Sequence, residues 1–331
     1  MEAQTPATAA PATRALEYLP VGLFGSVMGL SGLSNAWALA HVEFGFPEAI
    51  SKWIGLIAAA AFVVLACAYL AKWVSAPDAV RAEFVHPIAS SLFATILVSL
   101  LLLPIIVAPV SLMLGRLLWG IGTAGILAFA WLMVSRWLSD QQQVAHSSPA
   151  WLLPVVGVLN LPIAMPALGL EHLHGLMVLG LAIGLFFAVP LFTMIVSRLV
   201  FEPALPPALQ PTLMILMAPF AVGTSTYIAT TGQVGLFAQS LYWLTLFMLA
   251  VLAGRLRYLS RCCPFKMSWW AVSFPLAAAA IAALRIAGAE PGYVSSAIAL
   301  ALLALATMVI LGLLGRTVLG IARGELRALS S

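Results

Sequence analysis

Long apolar stretches alternate with short polar breaks along the chain, and the stretches are of one size. Ten of them reach roughly 20 residues, the length that crosses a bilayer core of about 30 Å as an α-helix. They lie near 19–40, 53–74, 88–109, 111–135, 150–169, 173–197, 210–231, 235–254, 268–287 and 293–315. The breaks are short, so almost the whole chain lies in or at the membrane. The pattern predicts an all-α integral membrane protein, with residues 18–317 forming ten transmembrane helices. Residues 1–17, rich in Ala, Thr and Pro, read as a disordered tail, and 318–331 as a second tail. Ala38-Leu39-Ala40 has the look of a signal-peptidase site. The stretch before it is too long for a signal peptide, and its flank carries Arg14 against Glu2 and Glu17. The first span is expected to be retained.

The ten stretches are of two kinds. Odd-numbered spans hold most of the internal prolines: Pro20, Pro87, Pro104, Pro154, Pro162, Pro166, Pro211, Pro219 and Pro275. They also hold Ser31, Ser34, Asn35, Thr95, Ser99, Asn160, Thr224, Ser225 and Thr226. Even spans, such as Gly55 to Val64 in the second, are plain lipid-compatible sequence. A proline frees backbone groups that hydrocarbon cannot satisfy, so broken, hydroxyl-bearing helices belong inside. Alternation along the chain then predicts five hairpins, each giving one inner and one outer helix, with the inner five around a central pore. Gly22, Gly25, Gly29 and Gly32 recur at helical spacing on one face of the first span. Such a stripe admits a close neighbour or leaves room beside a pore, whereas Gly180 and Gly184 read as ordinary helix packing.

Charge adds an orientation. Twelve of the fifteen Lys and Arg fall at the termini or after even spans; Lys52, Arg116 and Arg285 are the exceptions. This bias predicts both termini on the cytoplasmic side of an inner membrane. Trp37, Trp53, Trp73, Trp151, Trp269 and Trp270 fall near span ends, where an interfacial aromatic belt is expected. Composition agrees, with 63% hydrophobic residues, 8% charged and a mean hydropathy of +1.08. A soluble enzyme, a disordered chain and a nucleic-acid binder are all excluded at that charge density. Three cysteines, Cys67, Cys262 and Cys263, provide no disulfide framework.

Reactive chemistry is scarce. No Asp or Glu falls near the middle of a span, which disfavours a cation path and a carboxylate proton relay. A neutral pore with hydroxyl groups, and Arg285 near its outer end, suits anions better. Glu171, His172 and His174 belong to a wet loop. No catalytic constellation, metal site or cofactor motif is present, so no enzyme and no cofactor are expected.

Five motifs carry a family resemblance. Pro20-Val21-Gly22-Leu23-Phe24-Gly25, continuing to Met28-Gly29-Leu30, resembles the first helix of the tellurite-resistance/dicarboxylate transporter (TDT) family. That family includes bacterial TehA, yeast malate and sulfite transporters, and the plant slow anion channels. Arg81-Ala82-Glu83-Phe84 with His86-Pro87 is similar to its third helix, and Trp151-Leu152-Leu153-Pro154 to its fifth. Ala218-Pro219 is similar to its seventh, and Trp269 through Pro275 to its ninth. The resemblance implies a ten-helix bundle of five hairpins, a homotrimer with one pore per subunit, and Phe274 as the gate. It also makes Gly25 a pore residue whose small size matters. The hydroxyl-rich run Gly223-Thr224-Ser225-Thr226 departs from the family pattern.

The function expected from these readings is a gated channel or uniporter for small inorganic or organic anions. Phe24, Gly25, Gly29, Pro87, Pro154, Pro219, Thr224 and Pro275 are its expected pore-lining residues. Pro275 is also expected to bias Phe274 away from helical geometry. The alternative within transport is proton-coupled export of C4-dicarboxylate, sulfite or tellurite, with His86 or His146 titrating. A membrane-embedded enzyme or a scaffold is the alternative of another class. Its partners are then small anions and the lipid bilayer, with no nucleic acid.

Overall fold

The computed structural model describes residues 16–262 and 264–330, with backbone alone over 255–262. Arg14, Cys263 and nearly all of the expected N-terminal tail lie outside the described residues, as do the side chains of Arg255, Arg257, Arg261 and Cys262. Among the described residues every element is helical. We label the long helices α1 (21–44), α2 (Glu48–Ser75), α3 (Ala89–Val107), α4 (Leu112–Ser139), α5 (Pro149–Leu168), α6 (Glu171–Phe201), α7 (Pro207–Thr231), α8 (Leu236–Cys262), α9 (Met267–Ala289) and α10 (Tyr293–Ala322). Nine of these, α2 to α10, are long and apolar enough to cross a membrane among the described residues. The remaining one, α1, is of similar length. Its three serines, three α-helical glycines and Asn35 lower its hydropathy. Short helices, Pro77–Val85 and Leu326–Ser330, precede α3 and follow α10.

Successive helices pair as hairpins: α1 with α2, α3 with α4, α5 with α6, α7 with α8, and α9 with α10. Three of the far-end turns close on a left-handed glycine, Gly45 (φ 71°), Gly169 (φ 62°) and Gly232 (φ 69°), a geometry a Cβ would strain. The odd helices run parallel to one another and touch in a closed cycle, α1–α3–α5–α7–α9–α1. In α3, α5, α7 and α9, 61–83% of the apolar window is buried, against 17–39% in the even helices. An inner ring of five and an outer shell of five follow directly from these numbers.

The odd helices share a second property that the sequence does not reveal. Each begins as 3-10 helix: Val21–Phe24, Ala89–Phe93, Pro149–Leu152, Pro207–Met217 and Met267–Val272. The even helices α2, α4, α8 and α10 are α-helical from their start. The five 3-10 segments touch in the same cyclic order as the helices they begin. They form a collar at one end of the bundle, here called the cavity end. Helix α5 is the most interrupted, changing between 3-10 and α winding along its length.

Neighbours satisfy the backbone groups that this broken winding frees. Trp119 Nε1 of α4 donates to Leu161 O at 3.0 Å, Arg116 Nε to Leu168 O at 3.0 Å, and Thr226 Oγ1 of α7 to Leu159 O. Arg136 donates to Phe84 O and Val85 O at the end of the short helix before α3. Gly180 and Gly184 of α6 let that helix close on Pro162 and Leu159 of α5.

Several tryptophans differ from the expected belt. Trp53 and Trp73 are exposed, but Trp151 and Trp270 are buried and Trp37 is half-buried. Each is drawn inward by a bond for its indole N–H: Trp37 to Thr307 Oγ1 (3.1 Å), Trp151 to Pro87 O (2.9 Å) and Trp270 to Thr317 Oγ1 (3.0 Å). Lys72 also lies inside, at 1% exposure. Its Nζ donates to Leu19 O at 2.7 Å and pairs with Glu83 at 2.9 Å, and Tyr69 donates to the other oxygen of Glu83 at 2.7 Å.

Candidate functional site

The collar encloses a cavity of about 230 Å³ at the centre of the inner ring. All five odd helices line it. Gly25 and Met28 come from α1, Thr95 and Val98 from α3, Val156 and Asn160 from α5, Ile215 and Ala218 from α7, and Ala271 and Phe274 from α9. Lys266, Leu329 and Ser330 line it as well. On α9 the lining stops at Phe274 and Pro275, so the phenylalanine ring forms part of the cavity's closed end. Phe274 is only 7% exposed.

A glycine stripe sets how closely the ring packs at this point. Gly25 faces the Trp270 backbone, and Gly29 faces Ser273 so closely that a Cβ would collide with the serine side chain. At Gly32 a Cβ would stand 2.9 Å from the Ala277 methyl and 3.6 Å from the Phe274 ring. Gly29 and Gly32 thus let α9 close on α1 at Ser273 and Ala277, and the Phe274 ring lies within van der Waals reach of Gly32. Gly22 instead faces Leu92 of α3.

Pro275 does not unwind its predecessor. Phe274 is the second residue of the α-helical part Ser273–Ala289. Pro275 falls in the first turn of that part, where a missing N–H breaks no helical bond. The proline marks a change of winding from 3-10 to α rather than a bend.

The remaining expected pore residues are distributed as follows. Gly25 and Pro275 line the cavity with Phe274. Phe24 turns outward, its ring edge-on to Phe62 (5.9 Å) and Tyr69 (6.1 Å) of α2. Gly29 is covered by Ser273. Pro87 stands just before α3 and receives the Trp151 indole. Pro154 and Pro219 are in buried first turns of the α-helical parts of α5 and α7. Thr224 is fully buried, its hydroxyl donating to Phe220 O at 2.9 Å. Met28, Val98, Asn160 and Thr212 line the cavity without having been singled out for it. Met28 was within reach of helical spacing, one turn from Gly25; nothing in the sequence points to Leu329.

The hydroxyl groups around the cavity are mostly spent on the backbone. Thr95 donates to Leu92 O, Ser99 to Thr95 O, Thr212 to Leu209 O and Ser273 to Trp270 O, each at 2.6–2.7 Å. Such bonds keep the donor protons away from the lumen. The cavity is therefore lined mainly by apolar atoms, with Asn160 as a buried polar exception. Its Nδ2 donates to Gly157 O at 3.1 Å and its Oδ1 has no partner among the described residues. His86 is exposed at the collar, its Nδ1 accepting from the backbone N–H groups of Ile88 and Ala89. His146 is half-buried in the turn before α5.

Residues 18–318 match the profile of the SLAC1 family, described as voltage-dependent anion channel. The S-type anion channel SLAH3 of Arabidopsis thaliana is 28% identical over 308 residues, which cover 91% of this chain and 48% of the plant protein. An uncharacterized transporter of Methanocaldococcus jannaschii, MJ0762, is 30% identical over 238 residues, 65% of this chain and 69% of that one. A tellurite resistance protein TehA homolog of Haemophilus influenzae is 30% identical over 237 residues, 68% of each chain. This chain spans about half the length of the plant channel it matches.

Proposed function

The chain belongs to the voltage-dependent anion channel (SLAC1) family, and from that membership we propose that it passes small inorganic or organic anions through the inner five-helix ring, gated by Phe274. One observation carries the gate: the cavity's lining on α9 ends at Phe274 and Pro275, with the Phe274 ring beside Gly32. An apolar ring in a narrow apolar passage obstructs by bulk and by dewetting together. Removing it joins the cavity to the far half of the ring.

The protein is a multi-pass membrane transport protein and not an enzyme. The cavity end is the cytoplasmic end in this reading, supported by the positive charges that gather after even spans. Ten helices cross an inner membrane, α1 among them, and both termini are cytoplasmic. Exposed Leu56, Val63, Trp131, Phe186, Phe247 and Met308 on the outer shell offer lipid or a second copy an apolar surface, and the assembly is a homotrimer with one passage per subunit. Proton-coupled export by His86 or His146 has less support, since His86 Nδ1 already caps a helix start.

In planar bilayers, Phe274→Ala should raise anion current about tenfold or more over the wild type, because the variant lifts both steric and dewetting barriers. A variant as silent as the wild type overturns the gate. A reversal potential that follows the anion gradient and ignores an imposed pH gradient supports the channel over the proton-coupled exporter.

A further inference from the structure

Beyond Phe274 the inner ring changes character. Met28 lines the cavity, and Ser31 and Asn35 lie three and seven residues further on, on the same face of α1. Ala218 lines it from α7, and Ser225 is seven residues further. Phe274 lines it from α9, and Arg285 is eleven residues further, three turns and about 16 Å along the same face. These helices are consecutive in the ring, α7–α9–α1. Ser31 is 0% exposed, Ser225 2% and Asn35 7%.

None of these four groups is spent in the way the cavity hydroxyls are. Ser31 Oγ, Asn35 Nδ2, Ser225 Oγ and Arg285 Nε are all buried and have no hydrogen-bond partner among the described residues. A buried donor without a partner is costly, and native structures rarely leave one unused. Four together, on the rows that continue the cavity lining, call for a shared acceptor. Of the other unpartnered hydroxyls among the described residues, Ser90, Ser148 and Ser268 belong to the cavity end, and Thr123 and Tyr242 lie on the even helices α4 and α8. Across the ring, the rows rising from Val98 of α3 carry Leu102 and Ile105 and offer no donor. The donors therefore form one wall of the far half.

We propose that this wall is an anion-binding site on the far side of Phe274, where Ser31, Asn35, Ser225 and Arg285 donate to a single monovalent anion. Asn35 Nδ2 and Arg285 Nε are donors only, so a cation has no place there. One guanidinium balances one negative charge, and a dianion would leave a charge buried and uncompensated. Glu43 of α1 rests its carboxylate against Gly288, one turn beyond Arg285, and closes the wall with a negative charge. This site extends the anion-passage reading but is tested by binding rather than by current.

The test is equilibrium binding of radioactive iodide to the purified full-length chain in detergent, beside Phe274→Ala currents recorded separately. Arg285→Gln and Asn35→Leu should each weaken iodide binding about tenfold or more, as expected for losing a buried donor to an anion. Glu43→Gln should tighten it, and Thr245→Ala, whose hydroxyl donates to Leu241 O on α8, should leave it unchanged. Each variant is checked for an unchanged elution volume and thermal midpoint. Should Arg285→Gln fail to fold, Arg285→Lys with Ser225→Ala takes its place, with the same loss expected. Iodide affinity within about twofold of wild type in the folded variants, or no iodide binding by the wild type, overturns the site. If binding depends on these donors while Phe274→Ala passes no current, the site stands and the channel reading fails.

Discussion

Helices α9 and α10 form one hairpin, yet the less hydrophobic of the two is the more buried. The window of α9 has a mean hydropathy of 1.7 and is 83% buried; that of α10 reaches 2.8 and is 33% buried. In water this ordering would be reversed, because apolar area drives burial. In a bilayer lipid tails are as apolar as leucine, so hydropathy measures contact with lipid, and burial goes to helices that pack closely. The core of α9 is accordingly made of alanines, Ala277 to Ala280 with Ala282 and Ala283, none more than 4% exposed. The polar residues Thr307 and Thr317 of α10 accept indole N–H bonds from Trp37 and Trp270. What separates the two helices is size and hydrogen bonding.

Substitutions should rank by how directly they attack this difference. Gly29→Leu puts a branched side chain into the Ser273 contact between α1 and α9. It should prevent the ring from closing, at a cost of about 3 kcal/mol or more, seen as loss of a monodisperse peak in size-exclusion chromatography. Lys72→Met leaves Glu83 and Leu19 O without their buried cation. It should lower stability by about 3 kcal/mol, read from denaturant unfolding in mixed micelles. Trp270→Phe keeps an aromatic ring but gives up the bond to Thr317 and part of the buried indole volume, for about 2 kcal/mol in the same assay. Met308→Ala on the lipid face of α10, where the side chain is 70% exposed, should change stability by less than about 0.5 kcal/mol. A large effect at Met308 would mean that this face meets protein rather than lipid.

The division into inner and outer helices was legible because proline and hydroxyl residues are expensive in lipid and must be sheltered. The order of the hairpins was legible for the same reason, since the expensive residues recur in every second stretch. Phe24 shows where such reading stops. It precedes a pore glycine in sequence, but Val21–Phe24 winds as 3-10 helix and turns 120° per residue instead of 100°. From Val21 to Phe24 the face rotates by about 60°, and the Phe24 ring meets α2. Phe274 is the converse case: Pro275 argues locally against a helical predecessor, and the first turn of a helix accepts both residues. Thr95, Ser99 and Thr212 look like pore donors in sequence, yet each bonds a carbonyl three or four residues back on its own helix. Whether a hydroxyl faces the lumen or its own backbone depends on a rotamer, which no pattern of residue types records.

The parallel course of the five inner helices also has an electrostatic consequence. All five begin at the collar, so their backbone dipoles point the same way and their positive ends converge on the cavity. Each such end is equivalent to roughly half an elementary charge. Five of them attract anions to this end, where Lys266 supplies the one full charge in the cavity lining among the described residues. Because the peptide units are fixed in the fold, that attraction does not titrate, and no acid or base in the surrounding medium can switch it off.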